Sequence, residues 1–309
     1  MKVTALAGGI GAGKFLRGLV QVVPAEDVTV IVNTADDIVL HGLHVSPDLD
    51  SVMYWLAGLM DRERGWGIAH ETFRTTDRLR DLAADGSWFG LGDLDMATHL
   101  LRSALISDGA TLAEATEVLT QRCGVASRLL PMSNDPVATM ITTGDGTVLH
   151  FQEYWVRRGG ADPVASVDYR GATEAAPSPD VIRSIGAADA IVICPSNPVA
   201  SVLPILAVPG IREALASRRD HVVGVSPIIG GAPVRGMADK LMPAAGYEVT
   251  ASEAARCYEG LIGGWVMDER DAALTARVEA TGVRVAVTDT IMEDDTSSAS
   301  IAQTALDLS

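Results

Sequence analysis

Val3-Thr4-Ala5-Leu6-Ala7-Gly8-Gly9-Ile10-Gly11-Ala12-Gly13-Lys14-Phe15-Leu16 is the stretch on which the fold turns. A short strand-type run, Val3–Ala7, ends in four glycines within six positions. Phe15, Leu16, Leu19 and Val20 then recur at helical spacing. A second strand, Asp27–Val32, follows with Val-Thr-Val-Ile-Val at its centre. Strand, glycine turn, helix and strand in this order open a doubly wound, Rossmann-like α/β domain. At such a turn the helix N–H groups are free, the dipole favours an anion, and glycines let the backbone approach. The cluster therefore predicts phosphate binding rather than a tight turn alone. Walker A spacing is met by Gly8 and Gly13-Lys14, but Phe15 stands where the magnesium-binding hydroxyl belongs. The dinucleotide pattern G-x-G-x-x-G fails as well, because Lys14 or Leu16 falls at its last position.

Further along, Asn33-Thr34-Ala35-Asp36-Asp37 follows the second strand directly, where ligands of open α/β sheets bind. Paired carboxylates beside a phosphate site suit Mg2+ through oxygen ligands, or can accept a proton from an attacking hydroxyl. Asp50 lies thirteen residues further on, in Ser46-Pro47-Asp48-Leu49-Asp50, and Asp48 reads as the cap of a helix over 48–60. His41 and His44 lack a third ligand at metal spacing and read as loop residues.

Residues 61–125 read as mostly helical, with an apolar stripe over 95–106 and a capping box at Thr111-Leu112-Ala113-Glu114. Runs 138–143 and 147–151 flank Gly144-Asp145-Gly146, which predicts a hairpin. From about residue 178 the α/β rhythm returns. A helix capped at Ser178-Pro179 and strands at 190–194, 222–225, 265–267 and 283–288 are expected. The expected organisation is a mainly parallel core from 1–60 and 176–309. A helical, partly antiparallel insertion fills 61–175. Two further strand-end loops face the same crevice: Cys194-Pro195-Ser196-Asn197-Pro198 and Ser226-Pro227-Ile228-Ile229-Gly230. In the middle region, Ser87-Trp88-Phe89-Gly90 offers aromatics for stacking on a flat ring.

Composition sets limits on partners. The 309 residues carry 24 Lys plus Arg and 40 acidic residues, so 24 − 40 = −16. Duplex nucleic acid and anionic membranes are excluded as nonspecific partners, because both need a basic surface. Cys123, Cys194 and Cys257 are more than 60 residues apart, which predicts free thiols in a reducing cytoplasm. No signal-type or membrane-spanning apolar run is read, so the expected location is cytoplasmic.

These segments, in this order, resemble the 2-phospho-L-lactate transferase family of coenzyme F-420 biosynthesis, in its actinobacterial phosphoenolpyruvate transferase type. The resemblance rests on Gly8-Gly9-x-Gly11, Asn33–Asp37, Ser46–Asp50, Leu91-Gly92-Asp93, Ala97-Thr98-His99, Leu130–Ser133, Pro195–Pro198, Ser226–Gly230 and Lys240–Pro243. It implies transfer of a phosphoenolpyruvyl or 2-phospholactyl group from a guanosine-diphosphate-linked donor to the ribityl hydroxyl of the 8-hydroxy-5-deazaflavin Fo. GMP leaves and Mg2+ is required. A homodimer is implied in the same way. The donor side is assigned to Gly8, Gly9, Gly11, Lys14, Asn33, Asp36, Ser196, Asn197, Pro198, Ser226, Ile228 and Gly230. The deazaflavin side is assigned to Asp50, Trp88, Phe89, Gly90, Thr98, His99 and Asn134. Asp37 and Asp50 are the expected catalytic and metal-holding pair, with Asp50 as general base. Ile10 and Ala12 offer no hydroxyl, so the glycine turn would act through its backbone. The competing reading is a non-catalytic, nucleotide-sugar-binding regulatory protein of a related glycine-rich family. A dinucleotide oxidoreductase is disfavoured by the failed fingerprint.

Overall fold

The sequence pattern leads to a parallel sheet buried on both faces. The computed structural model describes all residues, 1–309. β1 (Val3–Ala7) pairs with β2 (Val28–Val32) on one side and with strand Ala190–Ile193 on the other. Beyond β2 lies Arg128–Pro131. Beyond Ala190–Ile193 come Val222–Val225, Gly264–Asp268 and Arg284–Thr288. All seven strands run parallel. Strands covered on both faces must be apolar at every position, which is why they read as continuous Val/Ile runs rather than alternating ones. Val3, Ala5 and Ala7 join the core on one face, while Leu6 joins the core on the other.

The chain moves outward from β1 to Arg128–Pro131, then returns to β1's other side at Ala190–Ile193. The order therefore reverses beside β1, and the crevice at the strand ends opens there. Helix α1 (Gly9–Val22) starts directly after β1 and packs against helix Asp295–Asp307. The crossing is tight enough that a side chain on Gly18 would strike the Ser298 backbone. Helix α2 (Pro47–Ala57) lies against α1, with Trp55 filling the space left by Gly13.

One boundary differs from expectation. Arg128–Pro131 lies within 61–175, yet it is the edge strand of the central sheet. The excursion is therefore split in two, a helical part before this strand and an antiparallel three-stranded sheet after it. Four residues starting with Arg and ending with Pro carry too little apolar pattern to announce a sheet strand. The expected hairpin is present between Ala138–Thr143 and Val148–His150. The capping box at Thr111 and Glu114 is formed in both directions. The helix expected from Ser178-Pro179 begins instead at Val181, behind Asp180 in a left-handed conformation. No helix is long and apolar enough to cross a membrane.

Candidate active site

Gly8 stands where the sheet's order reverses. It ends β1, and its amide donates to Ser196 Oγ at 3.4 Å, which joins the strand ends on either side of the reversal. A Cβ on Gly8 would lie 2.5 Å from Ser201 Cβ and 2.6 Å from Asp48 Oδ2. Gly9 begins α1 with φ of +69°, a conformation glycine adopts without strain. Gly11, in the same turn, faces the Pro195 carbonyl with no room for a side chain. These glycines thus bring three chain segments together at the first turn of a helix. Lys14 sits in the second turn, half-buried.

Asp48 reaches the same turn. Ser46 is the N-cap of α2, so Asp48 and Asp50 fall in its first turn. Asp48 does not cap the helix. Its Oδ2 accepts Asn33 Nδ2 at 2.9 Å and faces the glycine turn. Asn33 is anchored further, donating to the Ala200 carbonyl at 3.3 Å and accepting the Ala35 amide at 3.0 Å. Burial is the main force that pushes Asp48 up to about 7. The Asn33 hydrogen bond opposes it, and the charge of Asp37 adds to it. Asp36 is raised well above the usual carboxylate range, first by burial and then by Asp48. Asp37 is raised by burial, with His44 pulling it back. Its Oδ2 is engaged by Ser46 Oγ at 2.6 Å and His44 Nε2 at 2.9 Å. His44, which in sequence reads as a loop bystander, therefore supports the site.

Three oxygens in this group are buried without a hydrogen-bond partner: Thr34 Oγ1, Asp36 Oδ1 and Asp37 Oδ1. Buried acceptors left unpaired are costly. Oxygen atoms of this kind, from several carboxylates and a hydroxyl, are the donor set of a hard divalent cation. Their chemistry, oxygen only, suits such an ion, but their ligand atoms are not gathered as closely as those of Asp50, Asp95 and His99.

Asp50 stands apart from this cluster. Its two oxygens meet the guanidinium of Arg102, a side chain only 1% exposed, on helix Asp93–Ser107. Arg102 Nη1 also lies 3.3 Å from His99 Nδ1. His99 Nε2 lies 3.3 Å from Asp95 Oδ1, and that oxygen accepts Tyr54 Oη–H at 2.7 Å. Asp50, Asp95 and His99 place ligand atoms within 4.8 Å of one another. Arg102 supplies a cation beside this trio and fixes the Asp50 carboxylate in place. Asp37 and Asp50, the expected metal-holding pair, thus have different partners: Ser46 and His44 hold Asp37, and Arg102 holds Asp50. Arg102 carries no sequence signal, because a single Arg on an amphipathic helix looks like a surface residue.

The other expected contacts divide. Asn197 is spent on its own chain: Oδ1 accepts the Val199 and Ala200 amides at 3.0 and 3.2 Å. Pro198 opens that helical turn. Ser226 donates to and accepts from Ile228, at 2.9 and 3.2 Å, and Ile228 is fully buried. The Gly230 amide is held by Asp271 Oδ2 at 2.9 Å. This loop is therefore a self-satisfied turn at the rim of the crevice. Asn134 Oδ1 accepts the Ala113 amide at 2.9 Å at the start of helix Leu112–Arg122. His99 is 1% exposed and lines no surface, whereas Thr98 beside it is half-buried. Trp88 and Phe89 meet edge to face at 5.8 Å and pack on Leu40, Val45 and Leu91. Gly90 follows them in the same loop.

With this geometry in view, comparison with known proteins is specific. The family model described as 2-phospho-L-lactate transferase CofD matches residues 3–305. A phosphoenolpyruvate transferase of Streptomyces griseus is 48% identical over 312 residues, covering 100% of this chain and 98% of the relative. A 2-phospho-L-lactate transferase of Methanosarcina mazei is 43% identical over 297 residues, covering 96% and 97%. A crystal structure of a UPF0052-family protein from Bacillus halodurans superposes with a TM-score of 0.69, covering 99% and 98% at 20% identity. At that identity the likeness concerns the fold.

Proposed function

The chain belongs to the 2-phospho-L-lactate transferase CofD family, a family of enzymes, and from that membership we propose a specific reaction. It moves a phosphoenolpyruvyl or 2-phospholactyl group from a guanosine-diphosphate-linked donor to the ribityl hydroxyl of the deazaflavin Fo, within coenzyme F-420 biosynthesis. The hydroxyl oxygen bonds to the phosphorus bearing the hydroxyacid. The bond from that phosphorus to the oxygen of the guanylyl phosphate breaks, and GMP leaves with that oxygen. The hydroxyl proton passes to a carboxylate of the site.

The observation that carries this reading is the group Thr34, Asp36, Asp37 and Asp48, with its unpartnered buried oxygens, set against the Gly8–Gly9 turn at the sheet's reversal point. Phosphoryl transfer asks a protein mainly to position the reactants and neutralise charge. The free amides at the start of α1 meet the donor's phosphates. Mg2+ would be held by Asp36 and Asp48 with Asp37 beside them, and when bound it neutralises charge on the diphosphate. Asp50, fixed by Arg102, accepts a hydrogen bond from the incoming hydroxyl and orients it.

The test is a reaction lacking one component at a time. GMP should appear only when protein, guanylylated donor, Fo and Mg2+ are all present. Binding of Fo and donor with no GMP released would point to a non-catalytic binding protein and sink the proposal.

A further inference from the structure

Trp66 is held in an unusual setting for an exposed aromatic. It lies at the tip of a loop closed by an antiparallel bridge between Met60 and Ile68. Gly65 and Gly67 flank it, with φ of +76° and +71°. A side chain at either would be strained by the positive φ, and it would meet the Arg235 guanidinium at Gly65 or the Glu71 carboxylate at Gly67. The indole is 40% exposed. One partner is the Arg64 guanidinium, 5.0 Å from the ring centroid, and another is the edge of Phe73 at 5.9 Å. Arg64 is itself pinned by Asp61 at 2.9 Å and by the Ile68 carbonyl at 2.9 Å. The ring is thus rigid and presents apolar surface to solvent, an arrangement suited to stacking.

Its neighbours come from two separate segments of the chain. A Cβ on Gly90 would lie 3.4 Å from the Trp66 ring, so Trp66 borders the Trp88-Phe89-Gly90 loop. On the other side, Arg235, from the segment after the Ser226–Gly230 turn, donates to the Arg64 carbonyl at 2.5 Å. Glu71 links the same loop to the start of helix Asp93–Ser107, accepting the Ile68 amide at 2.8 Å and the Asp95 amide at 3.2 Å. That helix carries His99 and Arg102 to Asp50. Trp88 and Phe89 are partly consumed by packing against Leu40, Val45 and Leu91, so they leave less open ring than Trp66 does.

We propose that Trp66, backed by Arg64, is the stacking platform for the flat ring system of the acceptor. This rests on the reading that the acceptor is a deazaflavin, and it names the residue that recognises the ring. Nothing in the sequence pattern singles it out, because a lone Trp between glycines reads as turn chemistry.

Fo fluorescence titration onto wild-type protein, Trp66→Ala and Trp66→Phe is the test, with GDP titration and thermal unfolding alongside. Loss of one stacked ring weakens binding by roughly tenfold or more. The expected result is Fo affinity lowered by about that factor in Trp66→Ala and largely kept in Trp66→Phe. GDP affinity and melting temperature should stay near wild type. If wild-type protein binds Fo and Trp66→Ala binds it equally well, Trp66 is not the platform. Trp66 is equally ruled out if Trp66→Ala changes only the association state in size-exclusion chromatography, which would assign the ring to an interface. Failure of wild-type protein to bind Fo at all overturns the acceptor assignment as well, and is told apart by the first titration.

Discussion

Arg102 lies across the carboxylate of Asp50, its Nη1 donating to Oδ2 at 3.1 Å and its Nη2 to Oδ1, with both side chains almost wholly buried. A fork of this kind fixes a carboxylate in both position and plane. It joins α2 to helix Asp93–Ser107 and so couples the carboxylate group at the crevice to the region expected to bind the acceptor.

Breaking only one half of that pair should be severe. Arg102→Ala leaves a buried carboxylate uncompensated, at a cost of about 3–5 kcal/mol in urea unfolding. Lysine cannot reproduce the planar fork, so Arg102→Lys should recover less than half of the loss. The double variant Asp50→Leu/Arg102→Met should regain most of the stability and none of the turnover. Turnover near wild type in the double variant would remove Asp50 from the chemistry.

Gly11 tests the crevice from the other side. Its missing Cβ faces the Pro195 carbonyl, whereas Gly186 has nothing within 4 Å. Gly11→Ala should push the start of α1 away from the loop after strand Ala190–Ile193, and GDP affinity should drop at least tenfold. Gly186→Ala should be neutral or slightly stabilising, because alanine is favoured over glycine inside helix Val181–Ala187. Equal effects from the two substitutions would contradict the close approach.

The Asp48 carboxyl predicts a pH dependence with a definite sign. Its folded value, about 7, lies above its ordinary 3.8, so the folded state keeps this proton longer than the unfolded chain does. Below about pH 4 the group is protonated in both states and costs nothing. As pH rises from about 4 to about 7 the unfolded chain releases the proton first, and stability falls. In EDTA, Asp48→Asn should therefore gain in melting temperature relative to wild type across that window and stay level above it. Parallel curves for the two proteins would show that Asp48 is not desolvated as described.

A divalent cation should reverse that penalty. At pH 8, Mg2+ added to EDTA-treated wild-type protein should raise the melting temperature, by mass action on the folded state. Asp36→Asn and Asp48→Asn should each blunt the rise, while Asp95→Asn should not. A rise lost in Asp95→Asn and kept in the other two would move the ion to the Asp50, Asp95 and His99 group.

Much of the fold is legible in the chain. Val3–Ala7 and the glycines after it announce the Rossmann-like start, because a doubly covered strand must be apolar throughout and a helix beginning at the sheet edge needs room. The same logic places Asp36 and Asp37 at a strand end. Asp48 escapes a sequence reading because an acidic residue in a helix's first turn is ordinary, and only the third dimension sets it against Gly8. Asp50 is picked out in sequence without its partner Arg102, 52 residues away, since pairing across two helices leaves no local trace. Asn197, Ser226 and Asn134 look free in sequence, yet their polar atoms close their own turns or cap a neighbouring helix.

Mass spectrometry of the deazaflavin product, together with quantified GMP, probes the proposed transfer most directly. With Fo, Mg2+ and each guanylylated donor in turn, one GMP should form per Fo consumed. The product should be a phosphodiester carrying the donor's enolpyruvyl or lactyl group, the two differing by two hydrogens. GMP released without a modified deazaflavin, or Fo left unchanged with both donors, would refute the transfer.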